Sequence, residues 1–121
     1  MSNKDIYQIL KKFVDGEAII GASLLRIDGK VIAAHYIGIE DTVPNLIARD
    51  SLSAKRRRRI IFPILGRLIT SIAIYEKSCI GLSSVNRDQY IQLVAKSDLP
   101  LSTFCKKLEQ ISVELRQVKE N

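Results

Sequence analysis

The sequence predicts an α+β domain: a five-stranded antiparallel sheet with helices packed on its faces, in the order α-β-β-α-β-β-β-α. Three observations carry this. Asp28-Gly29 sits between two β-favouring apolar runs within Glu17 to Gly38, the pattern of a tight hairpin. Three short apolar runs between Ser71 and Lys96 are separated by polar connections of hairpin length. The two ends of the chain carry apolar residues at helical spacing.

The first helix is expected over Asn3 to Asp15. Ile6, Ile9, Leu10, Phe13 and Val14 form one apolar stripe, Ser2 or Asn3 can cap its start, and Gly16 stands where a left-handed residue closes a helix. The hairpin follows almost at once, so this helix is expected to cover one face of the sheet. A two-residue type I′ turn at Asp28-Gly29 sets the register: Ile27 opposite Lys30, Leu25 opposite Ile32, Ala22 opposite His35 and Ile20 opposite Ile37. One face then carries Ile20, Ala22 and Leu24 against Val31, Ala33 and Ile37. The other carries Ile19, Leu25 and Ile27 against Ile32, Ala34 and Tyr36. Both faces are mostly apolar and both need cover, from helices of the chain or from a second subunit.

Ile39 to Asn45 is acidic, contains Pro44 and lacks periodicity, which predicts a loop. A middle helix is expected from a cap at Asp50, Ser51 or Ser53 to about Ile69, with Ile61, Ile64, Leu65, Leu68 and Ile69 on one side. Pro63 removes the bond to Arg59 and bends or restarts it. Strands are predicted at Ser71 to Tyr75, Cys79 to Val85 and Gln89 to Lys96. A last helix, capped by Asp98 with Pro100 in its first turn, runs from Leu99 to about Lys119. Its seam is Leu101, Phe104, Leu108, Ile111, Leu115 and Val118, read first as packing on the domain's own sheet and second as a seam shared with another chain.

At 121 residues the chain is expected to form one domain over 1–121. No apolar run approaches the roughly 20 residues of a membrane span, and the N-terminus lacks a secretory pattern, so no transmembrane segment and a cytoplasmic location are expected. Cys79 and Cys105 are too few and too far apart for a zinc site and read as buried free thiols. The single histidine, His35, reads as structural. The sequence holds no phosphate-binding loop, nucleophile elbow or zinc-protease motif. No catalytic, cofactor-binding or metal-binding residue is therefore assigned, and no enzyme activity is expected.

The net charge of +6 is uneven: Lys55, Arg56, Arg57, Arg58 and Arg59 form one block. Such a block suits an acidic protein surface, a nucleic acid or an anionic membrane, and in its plainest reading it is a solvated helix turn. Consecutive helical residues point about 100° apart, so the five encircle the axis and the turn must project to leave them all in water. The bend at Pro63 favours that projection.

The stretch GASLLRIDGKVIAAHYI resembles the strand, Asp-Gly turn and strand that open the roadblock/dynein light chain family. LITSIAIYEKSCIGLSSVNRDQYIQLVAKSDLPLSTF resembles that family's second-helix end, three-strand meander and entry to the last helix. Together the resemblance extends over nearly the whole chain, and the element order is also that of profilin-like and longin-like domains. The Arg-rich block and the proline after it depart from the family pattern.

The resemblance implies a non-enzymatic scaffold, homodimeric or heterodimeric, that binds small Ras-like GTPases and uses no cofactor. It implies that Lys55 to Arg59 lie at the start of the helix that faces the GTPase. The apolar strand SIAIY following the apolar half-helix PILGRLI, with too few charges to protect a free edge, predicts a dimer formed about the second helix and that strand, with Ile61, Ile64, Leu68, Ile72 and Ile74 at the interface. Profilin-like actin binding is the alternative, against which the absence of tryptophan counts. Nucleic-acid binding by the block would be sequence-independent and salt-sensitive, because Phe62 is the only aromatic residue beside it. Pockets are not visible in sequence, so a small-molecule-sensing domain of similar architecture is a further alternative.

Overall fold

A computed structural model of the chain describes residues 3–38 and 69–119. The described elements are α1 (Asn3–Phe13), β1 (Ile19–Arg26), β2 (Val31–Tyr36), β3 (Thr70–Ile74), β4 (Ser78–Asn86), β5 (Gln89–Lys96) and α2 (Leu101–Lys119). The strands form one antiparallel sheet in the order β2-β1-β5-β4-β3. This is the α+β architecture expected, with the meander returning beside the first hairpin. The middle helix lies outside the described residues.

The helix boundaries are slightly shorter than the periodicity suggested. Helix α1 stops at Phe13 because the next residues leave the helix to make a different set of bonds. Asp15 Oδ1 accepts the backbone N–H groups of Glu17, Ala18 and Ile19 at 2.9 to 3.0 Å. Gly16, at φ +79°, supplies the left-handed residue that brings the chain around. Burial alone would raise the Asp15 carboxyl; the three donated hydrogen bonds and the nearby Lys107 outweigh it and hold the group below its ordinary value of 3.8. Helix α2 begins after Pro100, whose carbonyl accepts Phe104 N–H.

Both described helices lie on one face of the sheet. Ile6, Leu10 and Val14 of α1 and Phe104, Leu108, Ile111 and Leu115 of α2 pack with Ile19, Ala22, Leu24, Ile91, Leu93 and Ala95. The seam of α2 therefore serves the domain's own core, the first of the two readings. Leu101 at its start is exposed, and Val118 at its end is partly buried against the core. A salt bridge from Lys12 Nζ to Glu114 Oε1 at 2.6 Å joins the helices at their surface, where such a pair is worth at most about 1 kcal/mol. Gly81 lets α2 approach β4. A Cβ there would lie 2.7 Å from Phe104 Cε2 and 2.9 Å from Leu108 Cδ2.

The opposite face is withdrawn from water as well. Leu25, Tyr90 and Leu82 cluster there with Val31 against them. Ser23 and Gln92, directly opposed in the register, are fully buried. Ser23 Oγ donates to Tyr36 Oη at 2.8 Å, whereas neither amide atom of Gln92 has a hydrogen-bond partner among the described residues.

The first hairpin corrects two expectations. Asp28 does not have positive φ, so the turn is not type I′; among the described non-glycine residues none does, and Gly29 at φ +102° is the left-handed residue. Gly29 N–H donates to Arg26 C=O and Arg26 N–H to Lys30 C=O, which makes the loop the three residues Ile27, Asp28 and Gly29. Leu25 consequently faces Val31 rather than Ile32. One extra residue on β2 at the irregularity between Leu24 and Leu25 then restores the expected pairing, Ala22 with His35 included. Val31 thereby joins Leu25 on the face away from the helices, and Ile32 packs with the helix-side core. A second irregularity between Ile19 and Gly21 turns Ile19 into that core as well, against the face assigned to it.

Candidate functional site

The two edges of this sheet are protected unequally. β2 carries the extra residue opposite Leu24 and Leu25, which interrupts the regular ladder. Helix α1 packs over β2, where Tyr7 Oη lies 3.3 Å from His35 Nδ1 and the two rings meet edge to face. His35 is thus half-buried beside a tyrosine.

β3 has none of these devices. From Ile69 to Tyr75 the chain has no charge, no proline and no glycine, and β3 pairs with β4 without a bulge. Among the described residues no strand pairs with its outer side. Ile74 is 71% exposed, Ile69 55% and Tyr75 47%. An uncharged, regular strand with exposed isoleucines is what sheet proteins ordinarily avoid at a free edge.

The hydrogen bonds to β4 determine which groups that edge offers. Tyr75 N–H donates to Ser78 C=O, and Ser84 N–H donates to Ile69 C=O. Odd-numbered residues of the strand therefore spend their backbone groups on β4, and Thr70, Ile72 and Ile74 direct theirs outward. The side chains of these three lie on the helix side, opposite Ser83, Gly81 and Cys79 respectively. Ile72 packs against the helix-side core, whereas Ile74 has little covering it.

Of the interface residues expected from the sequence, Ile72 and Ile74 fall on this edge. Ile61, Ile64 and Leu68 lie outside the described residues, as do Lys55, Arg56, Arg57, Arg58 and Arg59. Ile69, Thr70 and Tyr75 were not assigned to the interface. The signal that could have found them is the uncharged run itself, which extends beyond the isoleucines on both sides.

The cysteines correct another expectation. Cys79 is buried on the helix side, and burial, with a smaller effect of Cys105, pushes its thiol up from the ordinary value. Cys105 is exposed rather than buried. Among the described residues no group of three His, Cys, Asp or Glu side chains could hold a metal ion, and no helix is long and apolar enough to cross a membrane. An open cleft of about 620 Å³ lies between the β1-β2 and β4-β5 turns. Arg26, Arg87, Asp28 and Asp88 all line it, two of each sign, and Arg26 is paired to Asp28 at 3.1 Å, so the cleft has no strong charge preference.

No protein-family model and no curated protein matches this sequence. Solved structures do match over nearly its whole length. The roadblock/LC7 domain from Streptomyces avermitilis superposes with a TM-score of 0.80 at 13% identity, covering 97% of this chain and 99% of that one. The fold is that of the roadblock/LC7 domain. The gliding protein MglB from Thermus thermophilus gives a TM-score of 0.84 at 15% identity, over 97% of this chain and 90% of that one. MglB from Myxococcus xanthus gives 0.84 at 11% identity, over 99% and 98%. At such identities the likeness resides in the arrangement of apolar positions and elements.

Proposed function

We propose that the chain from 1 to 121 is a single roadblock-like domain acting as a non-enzymatic, dimerising scaffold or regulator that binds small Ras-like GTPases. The observation that carries this reading is the unprotected edge at β3, where Ile74 is exposed and the outward backbone groups of Thr70, Ile72 and Ile74 lack a strand to pair with among the described residues. The dimer surface comprises Ile72 and Ile74 on that edge, together with Ile61, Ile64 and Leu68. Similarity in fold to MglB supports assembly. One such structure, with a TM-score of 0.83 at 15% identity, is described as having a tetrameric arrangement. The GTPase as partner rests on the resemblance to the roadblock family.

Lys55 to Arg59 are the partner-binding residues in this reading. Arginine makes bidentate contacts with carboxylates that lysine does not, and the block holds four arginines to one lysine. Its main effect is on the association rate, screened by salt.

Capture from the native cell, scored for GTPases against actin, tests the partner. Changing Arg56, Arg57, Arg58 and Arg59 together to Ser should leave folding and dimerisation intact and slow association with an acidic protein by about tenfold or more at low ionic strength. Binding of nucleic acid or anionic vesicles by the purified protein, lost in the same variant, would assign the block to those ligands instead. Sedimentation tests the dimer: Ile74→Lys should give a folded monomer, and Ile72→Lys should also loosen the subunit's core. A monomeric parent at high micromolar concentration would refute the dimer.

A further inference from the structure

The two cysteines of the chain are far apart in sequence, and the fold brings them to one corner of the helix side. Gly81 of β4 lies under α2, where a Cβ would meet Phe104 Cε2 at 2.7 Å and Leu108 Cδ2 at 2.9 Å. Further along both elements, Arg116 Nη2 donates to Ser84 C=O at 3.5 Å. β4 and α2 therefore run in the same direction. Cys79, two residues before Gly81 on the same face of the strand, lies under the first turns of the helix and shares a core cluster with Phe104.

Cys105 follows Phe104 on the flank of α2 that overhangs β4. At about 100° per residue, Arg116 falls within about 20° of Cys105 around the helix axis, and Glu114 about 180° from it. Arg116 reaches the β4 backbone, whereas Glu114 reaches Lys12 of α1. The flank carrying Cys105 is thus the one turned away from α1 and toward the start of β4. Burial, and after it the neighbouring Cys105, pushes the Cys79 thiol up from its ordinary value of 9.0, and one thiol acts on another in this way only at close quarters. Access is unequal: Cys105 is exposed, and Cys79 is 8% exposed. Ile74, paired with Cys79 across the ladder and 71% exposed, leaves the corner open to a small reagent.

We infer that Cys79 and Cys105 are a redox-modification site, forming a reversible disulfide that fastens the first turns of α2 to the start of β4. The oxidant is a low-molecular-weight disulfide. Cys105, the accessible thiol, attacks one of its sulfurs as the thiolate, forms a mixed disulfide and releases the first small thiol. Cys79 then attacks Cys105 Sγ, breaks the mixed disulfide and releases the second. The two protons lost by the protein leave on the two small thiols, and the two electrons reduce the small disulfide. The bond encloses the β4-β5 hairpin and the connection to α2 in one loop, which restricts the unfolded chain and raises the melting temperature. In a reducing compartment a bond of this kind is transient and regulatory.

Incubating the purified chain with glutathione disulfide under native conditions tests this, read by thiol titration and intact mass. Both thiols are expected to disappear with the loss of two hydrogens and no glutathione retained, and dithiothreitol is expected to restore them. The oxidised chain should melt at a higher temperature than the reduced one. In Cys79→Ser the reaction should stop with one glutathione on Cys105, and in Cys105→Ser the buried Cys79 should remain a thiol. The inference is overturned by a parent chain that keeps both thiols, or that holds glutathione on Cys105 with Cys79 still free. A disulfide that joins two chains through Cys105, or a Cys79–Cys105 bond that forms only in urea, overturns it equally. An oxidised chain that melts below the reduced one would show that the bond distorts the corner instead of fastening it, and would also sink the inference.

Discussion

The ring of Tyr36 lies across Gly21, its directly opposed neighbour in the β1-β2 pair, in the space where any other residue would carry its Cβ. Gly21 is a glycine in a strand interior, where it would ordinarily weaken the sheet. Here its missing side chain is replaced by an aromatic ring from across the ladder. The ring continues to Ser23, whose hydroxyl donates to Tyr36 Oη. Burial raises the Tyr36 phenol above its ordinary value of 10.0, and that donated bond only partly offsets the rise.

Gly21→Ala should therefore displace the Tyr36 ring and destabilise the domain by about 1–3 kcal/mol, the usual range for overpacking. In a Tyr36→Ala background the same substitution should cost much less, because the space is then empty. Urea unfolding of the four proteins measures the coupling; additive effects would show that the ring does not occupy that space.

Helix α2 should matter for stability more than for partner choice. Leu108→Ala is expected to cost about 2–5 kcal/mol, and Gly81→Ala should destabilise as well by pushing against Phe104 and Leu108. If Leu108→Ala melts like the parent yet dissociates the oligomer, the seam belongs to an interface between chains.

Gln92 is buried in the central part of the sheet, and neither of its amide atoms is hydrogen-bonded among the described residues. Leaving such a group unpaired costs about 1–3 kcal/mol, so Gln92→Met, similar in length and unbranched, should raise the urea midpoint. A lower midpoint would show that the amide contributes to the native structure.

Asp15 joins α1 to β1 as a carboxylate, and its pKa is lower in the folded chain than in the unfolded one. Its stabilisation is present above the ordinary value of 3.8 that the unfolded chain has, and is lost as the pH falls through the lower folded value. Asp15→Asn should remove this part of the acid dependence while keeping most of the backbone contacts. Thermal melts of both proteins between pH 2 and pH 6, in buffers spaced at about half a unit, would expose an unchanged acid limb if the carboxylate is not involved.

Much of this architecture was legible in local pattern. The apolar stripe of α1 and the seam of α2 declare their elements within a few residues because burial on one side imposes a period, and the strands of the meander declare theirs as short apolar runs between polar turns. The turn at Gly29 was found in the right place but with the wrong geometry. Asp-Gly suits both a two-residue loop and the end of a three-residue one, and the choice depends on how the flanking strands close. The candidate site was legible in part: Ile72 and Ile74 stand out as uncharged, but only the strand order places them at the end of the sheet.

The sequence by itself determined the identity and order of the described elements, and the uncharged character of the strand that became an edge. Tertiary structure alone decided which face each residue serves. Ile19, Val31 and Ile32 all departed from simple alternation, since an extra residue in a ladder shifts every side chain before or after it by one face. It decided too that Gly21 and Gly81 are sites of close approach, that Cys105 is exposed, and that β3 rather than β2 is, among the described residues, the edge with neither a bulge nor a helix packed over it. These outcomes depend on contacts between segments far apart in the chain, and no local period carries that information.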